Sequence, residues 1–242
     1  MTGAGSGIGK ATALEFSNHG YFVYLMGRDK QKLEDLALQC RAGAALMACD
    51  LKDAAAVAQR VKEITDNPVY QLEVLVNNAG IFQTHSIEDG TDELWREQFE
   101  VNMLAPMRLT RLLTPYFKKN KRGSIVNVSS TLGLRPSGQT GAYSASKAAL
   151  NNWTQLLAQE LGPFGIRVNC ICPGLVDTPI HSFHSLEATA KAEVLQSMAH
   201  LQPMGRIGTP ADVAHSIYFV GSDQSAWTTG ALISVDGGIN LT

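Results

Sequence analysis

Tyr143 and Lys147 stand four residues apart in Tyr143-Ser144-Ala145-Ser146-Lys147, within a stretch, Ala142–Leu161, whose apolar spacing predicts a helix. Residues four apart share one helix face, so the phenol and the ammonium address one place. That pairing does proton chemistry at oxygen. A free tyrosine titrates near about 10, and a neighbouring lysine cation favours the phenolate and draws that value toward working pH. Thirteen residues before Tyr143, the β-branched run Ser124–Val128 predicts a strand and ends in Ser129-Ser130. A serine at the C-terminal end of such a strand can hold a substrate oxygen beside the phenol. Plain turn formation is the competing reading of the two serines.

A second constellation opens the chain. Thr2-Gly3-Ala4-Gly5-Ser6-Gly7-Ile8-Gly9 leads straight into a helical pattern from Ile8 to about His19. Glycines allow a tight turn and a close backbone approach to a pyrophosphate, which the helix N-terminus then attracts. A disordered leader is the alternative. Such a fingerprint should follow a strand, and that strand would be central in a doubly wound sheet; only Met1 precedes Thr2 here. The expectation is therefore a natural protein with a short N-terminal strand ahead of Thr2. About twenty residues on, the predicted strand Tyr21–Met26 ends at Gly27-Arg28-Asp29, where an adenosine ribose is read. An acid there suits the 2′-hydroxyl of NAD, and an arginine suits the 2′-phosphate of NADP. Gly27 leaves room and Arg28 follows at once, so NADP(H) is expected over NAD(H). Asp29 is the competing signal, and a solvated turn with a helix cap is the ordinary use of both residues.

The elements that must position these groups alternate. Helices are predicted over Lys30–Arg41 (Leu33, Leu36 and Ala37 on one face), Ala54–Thr65, Thr91–Tyr116 with a bend before Pro106, and Thr209–Val220. Strands are predicted over Ala45–Ala48, Val74–Val76 running into Asn77-Asn78-Ala79-Gly80, Arg167–Cys172 and Ala231–Val235. This order implies an α/β chain: one doubly wound, Rossmann-like parallel sheet over residues 1–242 with helices on both faces. Asp177–Gly208 breaks the rhythm. It holds His181, Phe183 and His184 and reads as a long irregular substrate loop or lid.

Thr2–Gly9, Asp50-Leu51, Asn77-Asn78-Ala79-Gly80, Asn102, Ser130, Tyr143 with Lys147, Pro173-Gly174 and Val235-Asp236-Gly237-Gly238 occur in this order and spacing. Together they resemble the short-chain dehydrogenase/reductase family over essentially the whole chain. The resemblance implies roles. Thr2, Gly3, Ser6, Ile8 and Gly9 would form the cofactor loop. Asp50 would meet the adenine amino group, with Leu51 beside it. Asn78, Ala79 and Gly80 would line the cofactor between ribose and nicotinamide. Asn102 would hold a water beside the lysine and so link the site to solvent. Ser130, not Ser129, would orient the substrate, and Lys147 would also grip the nicotinamide ribose. Pro173, Gly174 and Thr178 would lie under the carboxamide. The implied activity is hydride transfer between NAD(P)(H) and a small-molecule carbonyl or secondary alcohol, with Tyr143 as acid/base, in a homotetramer or homodimer. A dinucleotide-binding sensor or scaffold without turnover is the alternative, and the complete set Asn102, Ser130, Tyr143 and Lys147 argues against it.

Composition narrows the partners. The 242 residues carry a formal charge of −2, with 45% hydrophobic and 17% charged residues. The dense basic stretch Lys118-Lys119-Asn120-Lys121-Arg122 lies between a helical and a strand pattern and reads as a solvated turn. No nucleic-acid or membrane partner is expected, and the absence of a signal-peptide pattern suggests a cytoplasmic protein. Cys40, Cys49, Cys170 and Cys172 lack C-x-x-C spacing and read as free thiols, with Cys170 and Cys172 facing one side of a strand. His181 and His184 could share a metal on one helical turn, but no cysteine or acid stands at ligand spacing, so no metal is expected. Trp95 and Phe99 read as core, and Trp153 and Leu157 as core or subunit contact. Substrate choice falls to Thr131–Gly141 and Asp177–Gly208, which hold no charge clamp. Sugars, steroids, acyl thioesters and small ketones all fit.

Overall fold

Short apolar strands separated by amphipathic helices have one economical solution, a parallel sheet covered on both faces. The computed structural model, which describes residues 1–181 and 186–242, has that arrangement. β1 (Val23–Gly27) pairs in parallel with β2 (Ala44–Ala48), placing Leu25 opposite Leu46. β3 (Val74–Asn77), β4 (Gly123–Val128), β5 (Ile166–Pro173) and β6 (Leu232–Val235) pair in parallel in that order. Leu75 lies opposite Ile125, Ile125 opposite Val168, and Ile171 opposite Ile233. Met1 and Thr2 lie between the two groups of strands and join them. The Met26 N–H donates to the Met1 carbonyl (2.9 Å), and the Thr2 N–H donates to the Val76 carbonyl (3.0 Å).

Side-chain alternation divides the core into two layers. Val126 and Val128 of β4 point into a cluster with Phe16 of α1 (Gly7–Asn18), Leu33 of α2 (Lys30–Ala37) and Ile217 of α8 (Pro210–Gly221). Ile125 points the other way, toward Val61 of α3 (Ala54–Thr65), Phe117 of α5 (Ala105–Asn120) and Leu157 of α6 (Gly141–Leu161). All six residues of β4 are buried, as an interior parallel strand requires. Helix starts are set locally. Asp53 accepts from the Ala55 and Ala56 N–H groups (both 3.0 Å), and Thr209 with Asp212 forms a capping box.

The structure departs from these expectations in four places. The helix expected over Lys30–Arg41 ends already at Ala37. The single helix expected over Thr91–Tyr116 is α4 (Asp92–Phe99), a π-helical turn at Glu100–Leu104, and then α5. The wider turn falls just ahead of Pro106, which has no N–H to give. The segment Asp177–Gly208 is not irregular throughout. It contains α7 (Ala188–Ala199), whose alanine-rich sequence favours helix. None of its residues is buried, so the chain carries no apolar stripe to announce it. Trp95 and Phe99 stack on each other (centroids 6.2 Å, 18°), half-buried and outside both core clusters. Phe183 and His184 lie outside the described residues. Trp153 packs at the edge of the second cluster and Leu157 within it. Among the described residues no helix is long and apolar enough to cross a membrane.

Candidate active site

Parallel strands point their C-terminal ends to one edge, and ligands of open α/β sheets bind there. Along that edge runs a cavity of about 610 Å³. Gly3, Ser6, Gly7, Ile8, Arg28, Asp50 and Leu51 line one end, with Thr178 packed against Gly7, and Ser130, Tyr143, Lys147, Pro173 and Gly174 line the other. Asn78, Ala79 and Gly80, the continuation of β3, lie between.

The glycine loop is folded against the end of β3. Gly3 has φ +63°, and a Cβ there would meet Ala79 Cα at 2.9 Å. A Cβ on Gly9 would stand 2.1 Å from the Gly3 carbonyl oxygen. Thr2 Oγ1 accepts from the N–H groups of Asn78 (2.9 Å) and Ala79 (3.0 Å), and Asn78 Nδ2 donates to the Thr2 carbonyl (3.0 Å). Thr2 and Gly9 therefore act from behind the cavity wall, shaping the loop rather than lining the cavity. Ser6 precedes α1 without a side-chain cap, and the first turn of α1 carries no acid. Unpaired N–H groups and the positive end of the helix dipole are left for an anion. A loop too tight for a Cβ beside a helix start free of carboxylates fits a dinucleotide pyrophosphate.

At the end of β1, Arg28, Asp29 and Lys32 line the cavity. Asp29 caps α2 by accepting from the Lys32 N–H (3.2 Å) and pairs with the Lys32 ammonium (3.2 Å). These bonds hold its carboxyl below the usual range. Asp50 accepts from the Lys52 N–H (2.9 Å). The Leu51 carbonyl accepts from the Arg108 guanidinium (2.8 Å).

At the other end α6 presents Tyr143 and Lys147, both buried. The Tyr143 side chain lines the cavity beside Ser130, whose Oγ accepts from the Leu132 N–H (3.1 Å). Ser129 turns away and donates to the Lys147 carbonyl (3.1 Å). Successive residues of an extended chain face opposite ways, and the structure thereby separates the two serines. Lys147 Nζ donates to the Val128 carbonyl (2.9 Å) and stands 5.7 Å from the Tyr143 ring centre. Asn102, fully buried in the π turn, grips Ile81 at both ends: Oδ1 accepts from its N–H (2.9 Å) and Nδ2 donates to its carbonyl (3.0 Å). Nδ2 also donates to Ser146 Oγ on α6 (3.1 Å). A Cβ on Gly80 would lie 3.3 Å from Asn102 Oδ1 and 3.5 Å from Lys147 Nζ, so both polar groups approach its bare backbone.

Burial decides the charges. It pushes the Tyr143 phenol up to about 12, although the neighbouring Ser130 works against it. It pulls the Lys147 ammonium down to about 8. The lysine was expected to draw the phenol down; instead its ammonium is turned to a carbonyl, and loss of water around the phenol wins. The resting site thus holds a neutral phenol, the form that gives a proton. A stability signature follows from Lys147. Between about 8 and 10.5 the unfolded chain binds a proton that the folded chain does not, so raising pH favours the fold. Relative to a Lys147→Met variant, wild-type unfolding free energy should rise by about 2 kcal/mol from pH 7 to pH 10. Urea titrations at the two pH values read this directly, and parallel curves for both proteins would contradict it.

Several lining residues, His181 apart, carry no signal in the sequence. Phe82, two residues past the Asn77–Gly80 motif, packs edge-on against the Tyr143 ring (4.8 Å), and His181 packs against Phe82 (5.9 Å). Leu132, Met198, Leu201 and Ile239 complete an apolar end. Asp177 and Lys191 pair at 2.8 Å and tie α7 to the loop after β5. Cys170 and Cys172 both face α6, with Asn151 Oδ1 at 3.4 and 3.8 Å. Among the described residues, no three His, Cys, Asp or Glu side chains cluster as a metal site.

Known proteins share this layout from end to end. A family model described as enoyl-(acyl carrier protein) reductase matches residues 3–240. The 3-oxoacyl-[acyl-carrier-protein] reductase FabG of Thermotoga maritima is 36% identical, over 99% of this chain and 96% of its own length. The BbsD subunit of (2S)-[(R)-hydroxy(phenyl)methyl]succinyl-CoA dehydrogenase from Thauera aromatica is 34% identical, over 100% of this chain and 95% of its own. Among solved structures, ElxO with NADP bound has a TM-score of 0.89 at 28% identity, covering 100% of this chain and 97% of ElxO. A 3-oxoacyl-[acyl-carrier protein] reductase with bound NAD from Brucella melitensis has a TM-score of 0.88 at 31% identity, covering 100% of this chain and 90% of its own. Likeness at this level over whole chains leaves one family, and this chain belongs to it: the short-chain dehydrogenases/reductases, NAD(P)-dependent oxidoreductases.

Proposed function

We propose that this chain reduces a neutral, apolar carbonyl compound with NADPH, or runs the reverse oxidation, with Tyr143 as the acid/base. The observation that carries the reading is the buried Tyr143, which lines one cavity together with Ser130, Lys147 and the glycine loop. The dinucleotide, when bound, supplies or accepts the hydride. Ser130 holds the substrate oxygen, and Tyr143 gives it a proton as the carbon is reduced. Lys147 lies beside Gly80 and suits the nicotinamide ribose; with Asn102 it returns the proton through water. Pro173, Gly174 and Thr178 would support the carboxamide, and Asp50 with Leu51 the adenine. Phe82, Leu132, Met198 and Leu201 favour an alkyl or aryl flank over a sugar, so an acyl chain or apolar ketone is the preferred substrate, held under the loop at about 177–208. A cytoplasmic homodimer or homotetramer is the form proposed.

NADP(H) is preferred here on the charges around the adenosine end. Asp29, the residue that would favour NAD, is committed to capping α2 and to Lys32. Arg28 then offers a cation beside Gly27, while the Lys32 ammonium is held by Asp29. Arg28→Ala should raise the KM for NADPH about tenfold or more and leave that for NADH within about twofold, since one charge-assisted bond is worth over 1.4 kcal/mol. The measurement is a coupled assay with both cofactors on sugars, steroids, acyl thioesters and small ketones. Equal rises for both cofactors would overturn the assignment to Arg28. Tight cofactor binding with no turnover on any of the four groups would favour the sensor or scaffold.

A further inference from the structure

The catalytic helix starts on a side chain from elsewhere in the chain. α6 begins at Gly141, and Thr140 before it makes no side-chain cap. The Thr140 hydroxyl is occupied by the Ser137 carbonyl and the Ser144 hydroxyl, each at 2.7 Å. The first N–H groups of a helix have no partner inside it. That of Ala142 finds Nε2 of His85 at 3.2 Å, across 57 positions of sequence. Nδ1 of the same ring faces the Ser86 carbonyl at 2.8 Å. A carbonyl can only accept, so Nδ1 carries the hydrogen; an amide N–H can only donate, so Nε2 is bare. The two bonds select one neutral tautomer. The surroundings are cut to the ring: a Cβ on Gly90 would stand 2.6 Å from Nδ1, and one on Gly141 would stand 3.3 Å from Cε1. The His85 N–H donates to the Gln139 carbonyl (2.9 Å), a second tie between the same two segments.

We propose that His85 is a positioning residue for Tyr143: the neutral imidazole holds the first turn of the catalytic helix, and protonation releases it. Ala142 immediately precedes Tyr143. The strand-end segment that carries His85 also carries Ile81, gripped by Asn102, and Phe82, packed on the Tyr143 ring. A proton on Nε2 would set donor against donor at the Ala142 amide, at the positive end of a helix. Among the described residues, Trp95 from α4 (6.0 Å) and Gly141 and Ala142 from α6, all uncharged, pack against the ring. In its own turn Asp89 accepts from Ser86 Oγ (2.5 Å), and on the first turn of α4 Asp92 and Glu93 pair with Arg96 in solvent.

The inference rests on the acid/base reading of Tyr143, so Tyr143→Phe is assayed beside the test variants. Glutamine can place an amide oxygen where Nε2 lies, asparagine reaches only to the position of Nδ1, and alanine replaces neither. His85→Ala and His85→Asn should lower kcat about tenfold, because the reacting hydroxyl loses its alignment, with the KM for NADPH within about twofold. In the reductive direction, where Tyr143 is already protonated, His85→Gln should keep kcat within about threefold and lack the acidic limb of the wild-type kcat–pH profile. A wild-type rate in both His85→Ala and His85→Asn, or an acidic limb of the reductive rate that persists in His85→Gln, would overturn the proposal. If alanine prevents folding, the glutamine–asparagine pair decides the matter alone. Near-native turnover in Tyr143→Phe would instead count against the role of Tyr143 and is read separately.

Discussion

Tyr143→Phe is expected to bind NADPH as the wild type does and to lose turnover by about 10³-fold or more. The substitution removes one oxygen and keeps the ring, so the edge-on packing of Phe82 at 4.8 Å survives. Ser130 keeps its bond from the Leu132 N–H, and its own hydroxyl, left without the phenol, still faces the cavity that both residues line. Stability should therefore move by no more than about 1 kcal/mol. What disappears is the proton that meets the developing alkoxide. With the phenol at about 12, the reductive direction finds its acid already protonated at neutral pH. The oxidative direction needs the phenolate, and its rate should climb as pH rises through the alkaline range. NADPH fluorescence titration and single-turnover hydride transfer separate binding from chemistry. Near-native turnover would place the acid/base elsewhere, and a matching loss of NADPH affinity would reduce Tyr143 to a packing residue.

Whatever depends on local period was readable from the sequence. Tyr143 and Lys147 share a face because helices repeat every 3.6 residues, and Ser130 sits at a sheet edge because β4 is an apolar run that stops. Cys170 and Cys172 face one side of β5 for the same reason. What depends on burial or on distant partners was not readable. The direction of the Tyr143 shift turns on how much water the phenol loses, which spacing does not encode. Thr2 and Asn78 meet across 76 positions, so two residues implied to be cofactor contacts are, in the structure, first of all a clasp between loop and sheet. His85 caps α6 from a segment without periodicity, and α7 hides because alanine-rich surface helices have no buried stripe. The π turn is a further case. Pro106 announces a bend there, but not the added residue that delivers Asn102 to Ile81.

Gly9→Ala should be the most damaging single-methyl change in the molecule. Gly9 lies inside α1, where alanine normally stabilises a helix by about 1 kcal/mol relative to glycine. Here the added carbon would stand 2.1 Å from the Gly3 carbonyl oxygen and 2.6 Å from Asn78 Nδ2. Neither atom can yield cheaply. The first is backbone, and the second is pinned to the Thr2 carbonyl at 3.0 Å. Overlap must be relieved by pushing the loop away from α1, which opens the clasp to β3 and spoils the anion cradle together. A loss of about 2–4 kcal/mol in stability is expected, along with at least about 100-fold in NADPH affinity. Gly5→Ala is the matched control, because its Cβ would meet only the Lys32 side chain, at an ordinary 3.4 Å. That variant should fold and bind NADPH within about threefold of wild type. Thermal melts with and without NADPH distinguish the two. A Gly9→Ala protein that melts and binds like Gly5→Ala would mean that the loop does not hold this tight form in solution, and the fit to a pyrophosphate would lose its geometric basis.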